Sequence, residues 1–160
     1  MASERVAVLG SGALGTALGK LVATNSSTAP EYFDEVKIWV YEEMLDGVKL
    51  THIFNTEHEN VKYLPGVRLP VNLVAVADLE AVVENATLLI FALPTIFLDR
   101  LLPTIRHKLK RDVRILSAYD GFQDGEFASE TISKGLGKDV NVSVFSGTFE
   151  PGEILSLIHI

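Results

Sequence analysis

The sequence predicts an α/β fold, a doubly wound parallel sheet in a single domain. Three observations predict it. Short apolar runs alternate with helix-length segments, the pattern of strands joined by crossover helices. The run Val6–Leu9 and, after Thr87, residues 88–93 are apolar at every position, as strands covered on both faces are. The first run passes directly into Gly10-Ser11-Gly12-Ala13-Leu14-Gly15, which opens a stretch rich in alanine and leucine.

That order of strand, tight glycine turn and helix start is the Rossmann-type dinucleotide-binding fingerprint. Gly10 permits the sharp turn. Gly12 lets the main chain approach a pyrophosphate with no Cβ in the way. Gly15 lets the helix pack close to the strand. The free N–H groups and positive dipole end of the helix then face the phosphates. Gly10, Ser11, Gly12, Ala13, Leu14 and Gly15 are therefore the candidate cofactor-binding residues. The alternative is a glycine-rich turn that only starts a buried helix.

The remaining elements follow in order. After the strand Val6–Leu9, residues 13–23 read as a helix and 25–30 as a polar loop. Residues 36–41 form a second strand, 45–54 a helix, and 55–70 mostly loop, with Pro65-Gly66 a turn signal. Leu73–Val76 is a third strand and 79–84 a short helix. The continuous apolar run 87–93 is a central strand. Residues 96–109 are helical, with Pro103 expected to kink the helix or start a second segment. Residues 113–118 are a fifth strand, 126–136 a helix closed by Gly137, and 142–145 a sixth strand. Right-handed crossovers are expected. In such sheets ligands bind beyond the carboxyl ends of the strands. That rule selects the glycine turn, Tyr41-Glu42-Glu43, residues 94–97, Tyr119-Asp120-Gly121 and residues 146–149.

Composition narrows the function classes. A chain of 160 residues suits one domain, and 48% hydrophobic with 22% charged residues implies a buried core rather than disorder. The net charge of −7, without a lysine or arginine block, argues against nucleic acid as a partner. The absence of cysteine excludes disulfides, thiolate catalysis and thiolate zinc sites. The longest apolar stretch, 88–98, contains Pro94 and Thr95 and is too short to span a bilayer. The first residues lead straight into a strand, so no targeting peptide is expected.

One segment carries a family resemblance: Ile53-Phe54-Asn55-Thr56-Glu57-His58-Glu59-Asn60-Val61-Lys62-Tyr63-Leu64-Pro65-Gly66. With Ile38-Trp39-Val40-Tyr41-Glu42-Glu43, residues 88–94 and Phe97, it makes the chain resemble the NAD-dependent glycerol-3-phosphate dehydrogenases in their eukaryotic cytosolic form. The resemblance runs from Val6 to about Ser146. It implies a cytoplasmic, usually homodimeric two-domain enzyme of carbohydrate and glycerophospholipid metabolism. Its small-molecule reaction is reduction of dihydroxyacetone phosphate to glycerol 3-phosphate with NADH. It implies NAD as cofactor, Gly10, Gly12 and Gly15 as the pyrophosphate loop, Tyr41 beside the adenosine and Phe97 lining the cofactor cleft. Glu42 or Glu43 would accept from ribose hydroxyls and repel a 2′-phosphate. Ordinary core packing is the alternative for Tyr41 and Phe97, and a solvated helix start for the two glutamates.

The chain also departs from that family. Ala13-Leu14 stands where the family has Asn-Trp, Thr95 near a family histidine, and Gly147-Thr148-Phe149 where it has Gly-Ala-Asn. Asp120 occupies the position of the family lysine. A cation there would offset the charge growing on the carbonyl oxygen, whereas an aspartate, ionised at neutral pH, opposes it. Two readings follow: a cofactor-domain fragment of a dehydrogenase, or a catalytically inactive dinucleotide-binding paralogue. A reductase of a related hydroxy acid is a third. The substrate domain of the family is expected to be absent. Residues 1–154 are read as the dinucleotide-binding domain and Leu155-Ser156-Leu157-Ile158-His159-Ile160 as a non-native tail, resembling an in-frame translation of a transposon end; the alternative is a genuine apolar strand over 154–160 that pairs on an edge.

Other constellations carry less. His52 and His58, with Glu57 and Glu59, lack the spacing of about three or four that places metal ligands on one helix face, so no metal is expected. Arg106, Lys108, Lys110, Arg111 and Arg114 cluster around a predicted helix C-terminus, where the dipole favours cations. Ser117 and Ser146 have no nucleophile-elbow motif.

Overall fold

The computed structural model describes residues 3–119, 121–137, 140–147 and 150–156. Asp120, Thr148, Phe149 and residues 157–160 lie outside them. Six strands form one parallel sheet: β1 (Val6–Leu9), β2 (Val36–Trp39), β3 (Leu73–Val76), β4 (Leu88–Phe91), β5 (Arg114–Ser117) and β6 (Asn141–Val144). They lie side by side in the order β3-β2-β1-β4-β5-β6. The chain winds outward from β1 in one direction through β3, then returns to β1's other side with β4. The predicted doubly wound sheet is therefore present, and each predicted strand lies within two residues of its observed bounds.

Among the described residues six helices cover the sheet: α1 (Ala13–Ser26), α2 (Leu50–Glu57), α3 (Leu79–Val83), α4 (Leu98–Ile105), α5 (Ala128–Leu136) and α6 (Pro151–Ser156). The period of two in a strand sends alternate β1 side chains to opposite faces. Val6 and Val8 enter one core with Ala17 and Leu18 of α1, Phe54 of α2 and Ile154 of α6. Ala7 and Leu9 enter the other with Val82 of α3, Leu98 and Ile105 of α4 and Ile132 of α5. All four β1 residues are buried, which is why that run is apolar throughout. Leu155, partly buried, also packs against the first core, so α6 crosses the expected boundary at 154.

The sheet edge at β3 is blunted by a side chain. Asn55 of α2 donates from Nδ2 to the Ala75 carbonyl at 2.9 Å, and its Oδ1 accepts from the Ala75 N–H at 2.8 Å. An edge residue thereby has its outward main-chain groups satisfied. Asp78 caps α3, its Oδ1 accepting from the N–H groups of Glu80 and Ala81.

Three expectations need correction. The helix expected at 45–54 begins only at Leu50, because Met44–Leu45 and Val48–Lys49 form an antiparallel hairpin. Its turn, Asp46-Gly47, has φ of 50° and 81°, the left-handed pair that a tight hairpin uses. The expected loop 55–70 holds the end of α2, a left-handed His58 (φ 52°) and a second hairpin of Glu59–Asn60 with Leu64–Arg68. The helix expected at 126–136 starts at Ala128, since Glu126–Phe127 pairs back on Phe122–Gln123 around Asp124-Gly125, again left-handed at 52° and 88°. A 3-10 turn, Thr95–Phe97, precedes α4, which runs through Pro103 without starting a new segment and ends at Ile105.

Candidate functional site

The sheet is parallel, so the segments that leave its strands share one edge. β1 lies between β2 and β4, so the glycine turn is flanked by the exits of both. This is where the strand order reverses, the position at which such sheets leave a crevice.

The three glycines of the turn do three different things. Gly10 has a φ of 111°, and a Cβ on it would lie 2.5 Å from the Ala92 carbonyl oxygen. Both facts restrict that position to glycine, because the turn folds against the main chain leaving β4. A Cβ on Gly15 would lie 2.0 Å from the Gly10 carbonyl oxygen. Gly15 therefore lets α1 close onto its own entry turn, a tighter demand than the helix–strand packing expected of it. Gly12 is the opposite case. It is the N-cap of α1 with φ −62° and ψ 179°, and a Cβ on it would meet nothing within 4 Å. Neither strain nor crowding inside the protein calls for glycine there. The space it leaves is open, as an approach for a phosphate requires.

The start of α1 suits an anion. Gly12 contributes no side-chain cap, and no acidic residue lies in the first turn, so the positive end of the dipole is not offset. Ala13 and Leu14 are half-buried behind Gly12.

Tyr41 and Phe97 stand at the exits of β2 and β4. Tyr41 is 72% and Phe97 46% exposed, which rules out core packing for both. Two large aromatics exposed beside the same crevice make a surface on which flat rings can stack. Ile96, Tyr119 and Phe122 are exposed as well.

Glu42 and Glu43 are held by the protein. Glu42 Oε1 accepts from the Thr51 N–H at 3.2 Å and Oε2 from the Thr51 hydroxyl at 2.6 Å, fastening the 44–49 hairpin to the start of α2. Burial alone would raise the Glu42 carboxyl, but these Thr51 hydrogen bonds and the charge of Lys49 outweigh it and hold the group below its ordinary range. Glu43 pairs with Lys62, whose ammonium also lies over the Tyr63 ring at 4.8 Å. Its hydrogen bond to Glu43 raises the lysine's pKa.

Beyond β5, the Ser117 hydroxyl donates to the Tyr119 carbonyl at 3.1 Å. A Cβ on Gly121 would lie 2.6 Å from the Tyr119 ring and 2.7 Å from the Thr95 hydroxyl. The exits of β4 and β5 thus close on each other at Gly121. Among the described residues there is no cluster of three or more His, Asp or Glu able to hold a metal. No described helix is long and apolar enough to cross a membrane.

Sequence reasoning missed Asn60 and Thr16. Asn60 belongs to the segment that carried the family resemblance, but nothing local joined it to the glycine turn. It is 1% exposed, and its Nδ2 donates to the Ser11 carbonyl and to Thr16 Oγ1, both at 2.8 Å. The link spans 49 and 44 residues of sequence.

Comparison with known proteins identifies the family. The profile of the family described as NAD-dependent glycerol-3-phosphate dehydrogenase N-terminus matches residues 5–156. The human cytoplasmic NAD(+) glycerol-3-phosphate dehydrogenase is 38% identical over 156 residues, 96% of this chain and 45% of that protein. A Candida albicans NAD(+) glycerol-3-phosphate dehydrogenase is 48% identical over 118 residues, 73% of this chain and 32% of that protein. A solved glycerol-3-phosphate dehydrogenase from Saccharomyces cerevisiae superimposes with a TM-score of 0.88 at 37% identity, covering 96% of this chain and 44% of that one. The chain thus spans less than half the length of these relatives. On sequence and architecture together, it belongs to the family of NAD-dependent glycerol-3-phosphate dehydrogenase N-terminal domains.

Proposed function

We propose that this chain binds NAD(H) across the β1–β4 crevice, as the cofactor-binding part of an NAD-dependent glycerol-3-phosphate dehydrogenase. The observation that carries the proposal is the open Cβ position of Gly12 at the uncapped start of α1. Main-chain N–H groups there are free to receive a diphosphate. Gly10 and Gly15 hold the turn, Ser11, Ala13 and Leu14 line it, Tyr41 stands by the adenosine, and Phe97 lines the cofactor cleft. Bound NADH supplies a hydride. The parent reaction is reduction of dihydroxyacetone phosphate to glycerol 3-phosphate in a cytoplasmic homodimer, with neither nucleic acid nor membrane as a partner. In this reading residues 1–154 form the dinucleotide-binding domain and 155–160 a non-native tail; the packing of Leu155 on the first core and the family match to residue 156 count against a cut at 154, and the genomic DNA downstream of codon 154 tests it.

Fluorescence titration of the folded chain with NADH is expected to give saturable binding. No saturation at millimolar NADH in a folded sample overturns the proposal.

A second reading has one observation in its favour: Asp120 in place of the family lysine. A fixed negative charge beside a carbonyl oxygen that gains negative charge raises the barrier to reduction. If Asp120 disables the parent, the full-length protein binds NADH but turns over dihydroxyacetone phosphate only after Asp120→Lys. Full activity with Asp120 in place eliminates this inactive-paralogue reading.

A further inference from the structure

The glycine turn is clamped from outside its own segment. Ser11's carbonyl oxygen accepts two hydrogen bonds, from Asn60 Nδ2 at 2.8 Å and from the Thr16 hydroxyl at 3.1 Å. Thr16 Oγ1 in turn accepts from the second Asn60 N–H at 2.8 Å. Asn60 Oδ1 accepts from the Tyr63 N–H at 3.2 Å, so the 59–68 hairpin sets the orientation of the amide. Thr16 is 0% and Asn60 1% exposed, so this triangle lies inside the protein. In a planar trans peptide the C=O and the following N–H point in opposite directions. With the Ser11 carbonyl fixed inward, the Gly12 N–H must face outward. A Cβ on Gly12 would likewise meet no protein atom within 4 Å. The Gly12 carbonyl is committed as well, accepting from the Thr16 N–H at 2.9 Å as the first turn of α1.

We propose that Asn60 is a positioning residue for the dinucleotide site: by holding the Ser11 carbonyl inward it aims the Gly12 N–H at the diphosphate. The inference rests on the NAD(H) reading above and adds a residue that touches no cofactor. The clamp makes the 59–68 hairpin part of the binding machinery. A turn whose N–H is already aimed loses less freedom on binding than one that must first be ordered.

Asn60→Asp in the full 160-residue chain tests this. The variant keeps the shape but replaces both donors with acceptors facing the Ser11 carbonyl. Burial among acceptors raises that carboxyl, and its protonation restores one donor. At about pH 8 its NADH affinity is expected to be roughly tenfold or more below that of the unmutated chain, recovering in part toward about pH 6. The unmutated chain is expected to lack that pH dependence. The Gly12 amide resonance is expected to shift and its hydrogen exchange to quicken in the variant. Equal NADH affinity at both pH values with an unmoved Gly12 resonance overturns the proposal. If the unmutated chain binds no NADH, the site reading fails by itself, and the Gly12 resonance alone decides the clamp: movement supports it, coincidence overturns it. If Asn60→Asp does not fold, Thr16→Val takes its place, with Thr16→Ser as the conservative rescue. Weakened NADH binding in the valine variant restored in the serine variant supports the clamp, and equal binding in all three overturns it.

Discussion

Gly15→Ala is expected to cost about 3 kcal/mol or more of folding stability, the range of changes that force main chain apart. The added Cβ would stand 2.0 Å from the Gly10 carbonyl oxygen and 3.2 Å from the Ala92 side chain. Nothing flexible lies in its way. The nearest atoms are main chain of a turn that is itself braced against β4, since Gly10 crowds the Ala92 carbonyl. Relief therefore requires α1 to move off the sheet and disturb the core around Ala17 and Leu18. Urea denaturation of the purified variant measures the loss. A midpoint within error of the unmutated chain would mean that α1 does not close on its entry turn as described.

Gly12→Ala is expected to do the reverse. Its φ of −62° suits any residue and its Cβ meets nothing within 4 Å, so stability should change by no more than about 0.5 kcal/mol. Yet the methyl group enters the space proposed for the diphosphate. NADH affinity should fall roughly ten- to a hundredfold, about 1.4–2.7 kcal/mol. The same chemical change thus separates two roles within one turn: at 15 it strikes the fold and at 12 the ligand. Undiminished NADH binding by a stable Gly12→Ala chain would remove the diphosphate from this turn.

Much of the architecture was legible because the signals are local. A buried parallel strand is apolar at every position, and a strand running into Gly-x-Gly-x-x-Gly announces its own turn. Two of the misread segments share one cause. Asp46-Gly47 and Asp124-Gly125 both adopt left-handed conformations and fold short hairpins ahead of α2 and α5. Apolar residues such as Leu45, Val48 and Leu50 resemble a helical stripe when the Asp-Gly between them is given no weight. The site divides in the same way. The glycine turn could be read from spacing, and the exposure of Tyr41 and Phe97 separates them from the core residues they resemble in sequence. Asn60 could not be assigned a role, because its partners in the glycine turn and α1 are more than forty residues away and no periodicity records a hydrogen bond of that range. The bonds from Thr51 to both oxygens of Glu42 were equally illegible, since no spacing announces them.

The central place of β1 bears on how the chain is made. Its four residues pair with Leu88–Phe91, so one flank of that strand has no neighbour until residues 88–91 have been synthesised. A nascent chain leaving the ribosome at residue 80 holds β1, β2 and β3 with an open, apolar margin, the kind of surface that recruits foreign strands. Arrival of β4 closes that margin, and in the same step brings Ala92 under Gly10, so the nucleotide turn acquires its shape only as the half-built sheet ceases to be a hazard.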